Sequence, residues 1–311
     1  MATPTLLDKE SLNSALKYVW GQYRTWDLTS VALKNKLVRS RDIILGLSIA
    51  GAILGTLSQQ VATWQIAALP AWLPATLGVL SGAALGLAAY FTNEVLRPDP
   101  QATSIRARAA AEAFKREAYL LATGVPPYAG ATTADGLLAK AKDIRASVEN
   151  VVSVPISSAQ QQDGTPPAGM SVDDYIKQRV DQQVDDYYLP QARINAQKLA
   201  LGRRISIVLG AIAVLLGLWS ARSASVASWV AVIGTITAAI AARQYANRYQ
   251  FLIVTYQATA DRLQWLKTRW ELEGKSQPGD DAKNAFIVSA EDAISTENTA
   301  WMAEWTRRQS S

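Results

Sequence analysis

The 311-residue sequence contains no cysteine and no histidine. Disulfides, thiol nucleophiles, imidazole bases and zinc sites built from those ligands are thereby excluded. GxGxxG and P-loop phosphate cradles, HExxH and the nucleophile elbow are missing too. Acid–base work would fall to Asp, Glu, Lys or Tyr. The acidic pairs Asp173 with Asp174, Asp185 with Asp186 and Asp280 with Asp281 do not make a paired-carboxylate site, because adjacent helical residues point in different directions. The expectation is a protein that is not an enzyme and holds neither cofactor nor metal.

Charge is also missing where a globular domain needs it. Residues 43–93, 51 in a row, hold no Asp, Glu, Lys or Arg, although 18% of the chain is charged. A second stretch, from Ile205 to Ala242, is broken only by Arg222. The first splits at "QQVATWQIAALPAWLP", where Gln59, Gln60, Gln65, Pro70 and Pro74 punctuate the apolar run and Trp64 and Trp72 suit a membrane interface. Four spans follow, at about 43–58, 73–91, 205–220 and 226–242. They are at the short end for a membrane-crossing helix, and snorkelling Arg and Lys at their ends help cover the difference.

Short runs also fit two buried hairpins inside a soluble helical protein, but the placement of positive charge opposes that reading. Lys34, Lys36, Arg39 and Arg41 precede the first span, and Arg97, Arg106 and Arg108 follow the second. Lys198, Arg203 and Arg204 precede the third, and Arg243 and Arg248 follow the fourth. By the positive-inside rule both hairpins dip from the cytoplasm, with both termini inside the cell. No cleavable signal peptide pattern is visible, so the first span serves as its own insertion signal.

The hairpins resemble each other. A shift of 162 residues lays Lys36 on Lys198, Arg41 on Arg203, Gly55 on Gly217 and Trp26 on Tyr188. After the second span a shift of 156 lays "QATSIR" from Gln101 on "QATADR" from Gln257, and Phe114 on Trp270. The chain thus reads as two tandem repeats, 1–152 and 171–311, around a Ser/Gln/Pro/Gly linker at 153–170. Outside the spans amphipathic helices are expected at 12–38, 105–123, 135–151, 172–200, 244–273 and 291–307. The fold class is an all-α integral membrane protein of four transmembrane helices that continue into long cytoplasmic helices.

Three sets of residues are candidates for function. Small residues form helix-packing faces at Gly51, Gly55, Gly78, Gly82, Gly86, Ala213, Gly217, Gly234 and Ala238. With no charge in any span, a pore would be lined by hydroxyls such as Ser48, Thr76, Ser81, Thr235 and Thr237, or closed by a hydrophobic gate. Lys36, Arg39, Arg41, Arg203, Arg204, Arg243 and Arg248 could meet anionic lipid or a phosphorylated signal, beside their role as topology anchors. Tyr175, Arg179, Gln183 and Tyr187 recur every four residues; helix-to-helix packing explains them better than a nucleotide-stacking surface. Nucleic-acid binding is not expected of such short, membrane-proximal basic clusters.

The segments "YIKQRVDQQVDDYYLPQARINAQKL", "RYQFLIVTYQATADRLQWLKTRWELEG" and "AEDAISTENTAWMAEW" around the second hairpin resemble a SLATT domain. SLATT domains are two-transmembrane effector domains associated with SMODS nucleotidyltransferases and SLOG sensors. The first half is similar to another SLATT subtype through "RARAAAEAFKREAYLLATGVPPY". The resemblance implies an oligomeric, pore-forming effector or channel of a prokaryotic defence system, gated through its cytoplasmic helices by a nucleotide signal or sensor protein. The alternatives are a non-conducting membrane scaffold that recruits cytoplasmic partners, and a soluble form that hides its hairpins until triggered.

Overall fold

The computed structural model describes residues 6–63, 69–95, 98–129, 134–162, 164–221, 224–275 and 279–309. Trp64, Gln65, Arg97 and Arg222 lie outside them, as do the side chains of the C-terminal "WMAEW". Among the described residues all regular structure is helical, in ten α-helices. These are α1 (Leu6–Thr63), α2 (Leu73–Val95), α3 (Pro98–Thr123), α4 (Ala134–Ala146), α5 (Ser158–Gln162), α6 (Val172–Tyr175), α7 (Leu189–Ser220), α8 (Ala224–Asn247), α9 (Tyr249–Arg269) and α10 (Asp280–Gln309). Wider π-helical turns at Ile176–Asp181 and Gln183–Tyr188 lie between α6 and α7, and another follows α9 at Trp270–Gly274. Four of the helices are long and apolar enough to cross a membrane.

Local chemistry sets the boundaries at Thr123 and Val172 where the sequence places them, and starts α3 at Pro98, seven residues before the expected 105. Pro98 opens α3, a position where its missing N–H costs nothing. Gly124, at φ +64°, closes it, with the Val125 amide donating to the Leu120 carbonyl at 3.2 Å. Ser171 and Asp174 form a reciprocal capping box, the Asp174 amide donating to Ser171 Oγ at 3.1 Å.

Other boundaries differ. The helix at 12–38 and the first span are one helix, because no proline falls between Leu6 and Thr63 and the glycines in between are tolerated. The same helix runs past Gln59 and Gln60. α4 stops at Ala146, where Ser147 turns its hydroxyl onto the Ile144 carbonyl at 2.6 Å. α10 begins at Asp280, so Ser289, Glu291 and Asp292 sit within a helix and not at its start. The helix expected at 244–273 is interrupted at Arg248, held at φ +51° with no glycine or proline to announce the break.

The chain divides into two compact units. The helical unit comprises Met1–Asn35, Pro98–Ala192 and Val254–Ser311, and the hairpin unit comprises Lys36–Arg97 and Arg193–Ile253. In the helical unit α3 packs on α10 and α4. Its core gathers Val19, Trp26, Phe114, Leu137, Tyr175, Tyr188, Leu263 and Ile287.

In the hairpin unit the contacts order the helices α2, α1, α8, α7. α1 meets α2 where Ser81 Oγ donates to the Gly51 carbonyl at 2.7 Å and Ser58 Oγ to the Pro74 carbonyl at 2.7 Å. α1 meets α8 antiparallel. Gln60 Nε2 donates to the Ser225 carbonyl at 2.6 Å near one end, and Arg243 Nε to Asp42 Oδ1 at 2.8 Å near the other. α8 meets α7 where the Gln244 side chain lies against Gly202. The inner helices α1 and α8 are partly covered around much of their girth. α2 is buried along one stripe, Ser81, Ala84 and Ala88, and α7 is half-covered along one, Gly202, Ser206, Leu209 and Ala213.

Candidate functional site

The close approach of α1 to α2 depends on absent side chains. A Cβ on Gly51 would meet Leu85 Cγ and Cδ2 at 2.7 Å and the Ser81 carbonyl oxygen at 3.3 Å. One on Gly55 would meet Ser81 Oγ at 2.9 Å, and one on Gly78 would meet Ser58 Oγ at 3.3 Å. Gly82, Gly86, Gly217 and Gly234 meet nothing within 4 Å, and Ala213 is half-buried while Ala238 is exposed. The Gly78, Gly82, Gly86 row therefore splits. Its first member touches α1, and the other two face outward beside the buried stripe of Ser81, Ala84 and Ala88. Sequence reasoning passed over Gly202, whose signal is its place at the foot of the second hairpin among arginines.

The hydroxyl candidates are not brought together. Thr76 donates to the Trp72 carbonyl at 3.0 Å and Thr235 to the Ala231 carbonyl at 3.0 Å, each within its own helix, and both are exposed. Ser48 and Thr237 are half-buried, and Ser81 is buried and committed to Gly51.

The seven basic candidates fall into two groups. Arg41 donates to Asn247 Oδ1 at 2.9 Å, Arg243 pairs with Asp42, and the Arg248 guanidinium lies 5.6 Å from the Phe251 ring centre. The first two tie α1 to α8 at one end, and the contact of Arg248 with Phe251 is local to its own turn. Lys36, Arg39, Arg203 and Arg204 are exposed.

The helical unit contains the densest electrostatics. Arg179 is 1% exposed and grips Glu291 through two contacts, Nε to Oε1 at 2.9 Å and Nη2 to Oε2 at 2.9 Å. Tyr175 donates to Glu291 Oε1 at 2.9 Å, and Glu112 lies 3.4 Å from Arg179 Nη2. Arg108 pairs with Glu112 at 2.7 Å and Asp27 at 3.2 Å. Burial alone would raise the Glu112 carboxyl, but Arg108, Arg179 and Lys115 outweigh it and hold it at about 2. Burial, with Arg179 and Arg108 close by, brings the Lys115 ammonium down to about 8.

An aromatic chain crosses this core. Trp20, Tyr119, Tyr175, Phe286 and Trp270 follow one another with ring centres 6.5, 6.1, 6.2 and 5.3 Å apart. The four-residue stripe from Tyr175 is thus internal, with Tyr175, Arg179 and Gln183 buried. The buried positions Tyr175, Arg179, Val184 and Tyr188 follow at steps of four, five and four, a longer period than an α-helix gives and one that the wider π turns carry. Tyr188, not Tyr187, takes the last buried place. The acidic pairs separate as well: Asp174 caps α6, Asp173 pairs with Lys275 at 3.2 Å, and Asp185 and Asp186 are exposed.

A groove of about 530 Å³ between α9 and α10 is lined in part by Thr255, Thr259, Arg262, Asp292 and Thr296. Its polar groups already serve their own fold. Thr259 donates to the Thr255 carbonyl at 3.0 Å, Thr296 to the Asp292 carbonyl at 2.7 Å, and Asp292 accepts from Arg116 at 2.7 Å.

Two family models match the chain. Residues 175–301 match the SMODS and SLOG-associating 2TM effector domain 1, SLATT_1. Residues 24–136 match a family described as a protein of unknown function, DUF4231. No curated protein and no solved structure matches.

Proposed function

Since the chain is a SLATT-type protein, a multi-pass membrane effector, we propose that it acts as an oligomeric channel or pore in the bacterial inner membrane, gated through the helical unit. One observation carries the reading. The hairpin unit turns large apolar side chains outward on α2 and α7 while no Asp, Glu, Lys or Arg lies between residues 43 and 93, a surface suited to lipid and to other copies and not to water.

The distribution of basic residues supports an orientation with both termini and the helical unit in the cytoplasm. Lys36, Arg39, Arg203 and Arg204 then stand at the height of anionic headgroups, each such contact contributing about 1 kcal/mol. The absence of acidic or basic residues in the spans argues against ion-coupled transport, so permeation rests on hydroxyl and apolar surfaces gathered from several copies. The closely packed and fully buried position of Arg179 supports a trigger that acts on the outside of the helical unit, through a partner protein or nucleotide signal, in a prokaryotic conflict system.

Expression in bacterial cells with a potential-sensitive dye tests the proposal. Collapse of membrane potential is the expected result. Normal potential in cells that carry a stable oligomer points instead to a scaffold that conducts nothing.

A further inference from the structure

We propose that α2 and α7 are the edges through which copies of the chain join, α7 of one copy lying antiparallel on α2 of the next. The proposal deepens the oligomeric reading above and rests on it.

The inner pair α1 and α8 supplies the template. Asp42 faces Arg243 and Gln60 faces Ser225, so the facing residue numbers add to 285 in both cases. Eighteen residues, five helical turns, separate the two contacts on each helix, which defines one stripe per helix. On α1 the stripe runs through Ile49, Ile53 and Thr56 to Gln60, and all four are at least half-buried. On α8 it runs through Val232, Ile236 and Ala239 to Arg243, again all at least half-buried.

The internal duplication assigns each stripe a counterpart. Adding 162 to Asp42, Ile49, Ile53 and Thr56 gives Arg204, Ala211, Leu215 and Leu218 on α7, all exposed, the two leucines by 67% and 73%; the counterpart of Gln60, Arg222, lies outside the described residues. Subtracting 156 from the α8 numbers gives Thr76, Leu80, Ala83 and Leu87 on α2, also all exposed, the leucines by 50% and 49%. The same surface that is covered once within the chain is thus left open once on each outer helix.

Charge favours a second copy as the occupant. Glu94 is the only charged residue of α2, whereas α7 carries Arg193, Lys198, Arg203 and Arg204 and no acid. In the transferred register facing numbers add to 291, so Glu94 faces Gln197 and arrives one residue from Lys198. Leu87 faces Arg204 and Leu80 faces Ala211. Because the two edges differ, the contact is head-to-tail, and it closes into a ring where the rotation per copy divides the circle.

The natural lack of cysteine gives a clean test. Full-length chain with Leu87→Cys and Arg204→Cys, oxidised in native membranes, should give a ladder of disulfide-linked dimers and larger species. Leu80→Cys with Ala211→Cys should do the same, and guards against a misfolded first variant. Asp42→Cys with Arg243→Cys should link within one chain and give no ladder. Failure of both test pairs to ladder, in membranes where the protein sediments as an oligomer, overturns the interface and leaves the oligomeric channel standing. A ladder in membranes that stay impermeable keeps the interface and removes the channel. A protein that sediments as a monomer removes both.

Discussion

Arg179 in the helical unit is 1% exposed, and Leu215 in the hairpin unit is 67% exposed. Each departs from the simple pattern of charge outside and apolar groups inside, and for a different reason. The helical unit obeys aqueous rules: it buries an arginine only because Glu291, Glu112 and the Tyr119 ring, whose centre lies 5.0 Å from the guanidinium, satisfy its charge. The hairpin unit obeys lipid rules, turning leucine outward and holding its helices together through glycine, serine and a few terminal polar ties. The two units thus hold together by different means, one through buried charge pairs and the other through small-residue contacts.

The sharpest way to break the comparison is to unpair the buried arginine. Glu291→Ala leaves the Arg179 charge short of its main partner and should cost about 3 to 5 kcal/mol, measured by thermal unfolding in detergent. The double change Arg179→Met with Glu291→Leu should recover most of that, which would show that the pairing and not the charge itself is needed.

Acid probes the same core. Glu112 titrates at about 2 in the folded chain against an ordinary 4.5. Its contribution is complete above pH 4.5 and is lost as pH falls through 2, about 3 kcal/mol in all. The hairpin unit, with no acid in its spans, should show no matching loss. Hydrogen exchange of the two units at pH 6 and pH 3 would separate them.

Smaller effects distinguish the glycines. Gly51→Leu drives a side chain into Leu85 and the Ser81 backbone and should destabilise the hairpin unit by about 1 to 3 kcal/mol. Gly82→Leu, which meets nothing within 4 Å, should leave unfolding temperature unchanged. Asp42→Asn falls between the two. Its partner Arg243 is only half-buried, and removal should cost no more than about 1 kcal/mol.

The hairpin unit was the more legible of the two in the sequence, for a physical reason. Lipid imposes a local rule, an unbroken run without charge, and residues 43–93 display it directly. The helical unit depends on Glu112, Arg179 and Glu291, which are 67 and 112 residues apart along the chain and each look like surface charges in isolation. Glu291 in particular reads from the sequence as the first residue of the helix expected at 291–307. Nothing near Ser289 shows that the helix begins nine residues earlier, at Asp280. Arg248 was hidden in the same way, since an arginine at φ +51° carries no sequence signature.

Ion flux measures the central claim most directly. Purified full-length chain in sealed liposomes holding a potassium gradient should dissipate that gradient, reported by a potential-sensitive dye, at a rate that rises with the number of copies per vesicle. Vesicles that keep their gradient at every protein density, with the chain inserted and oligomeric, would contradict it.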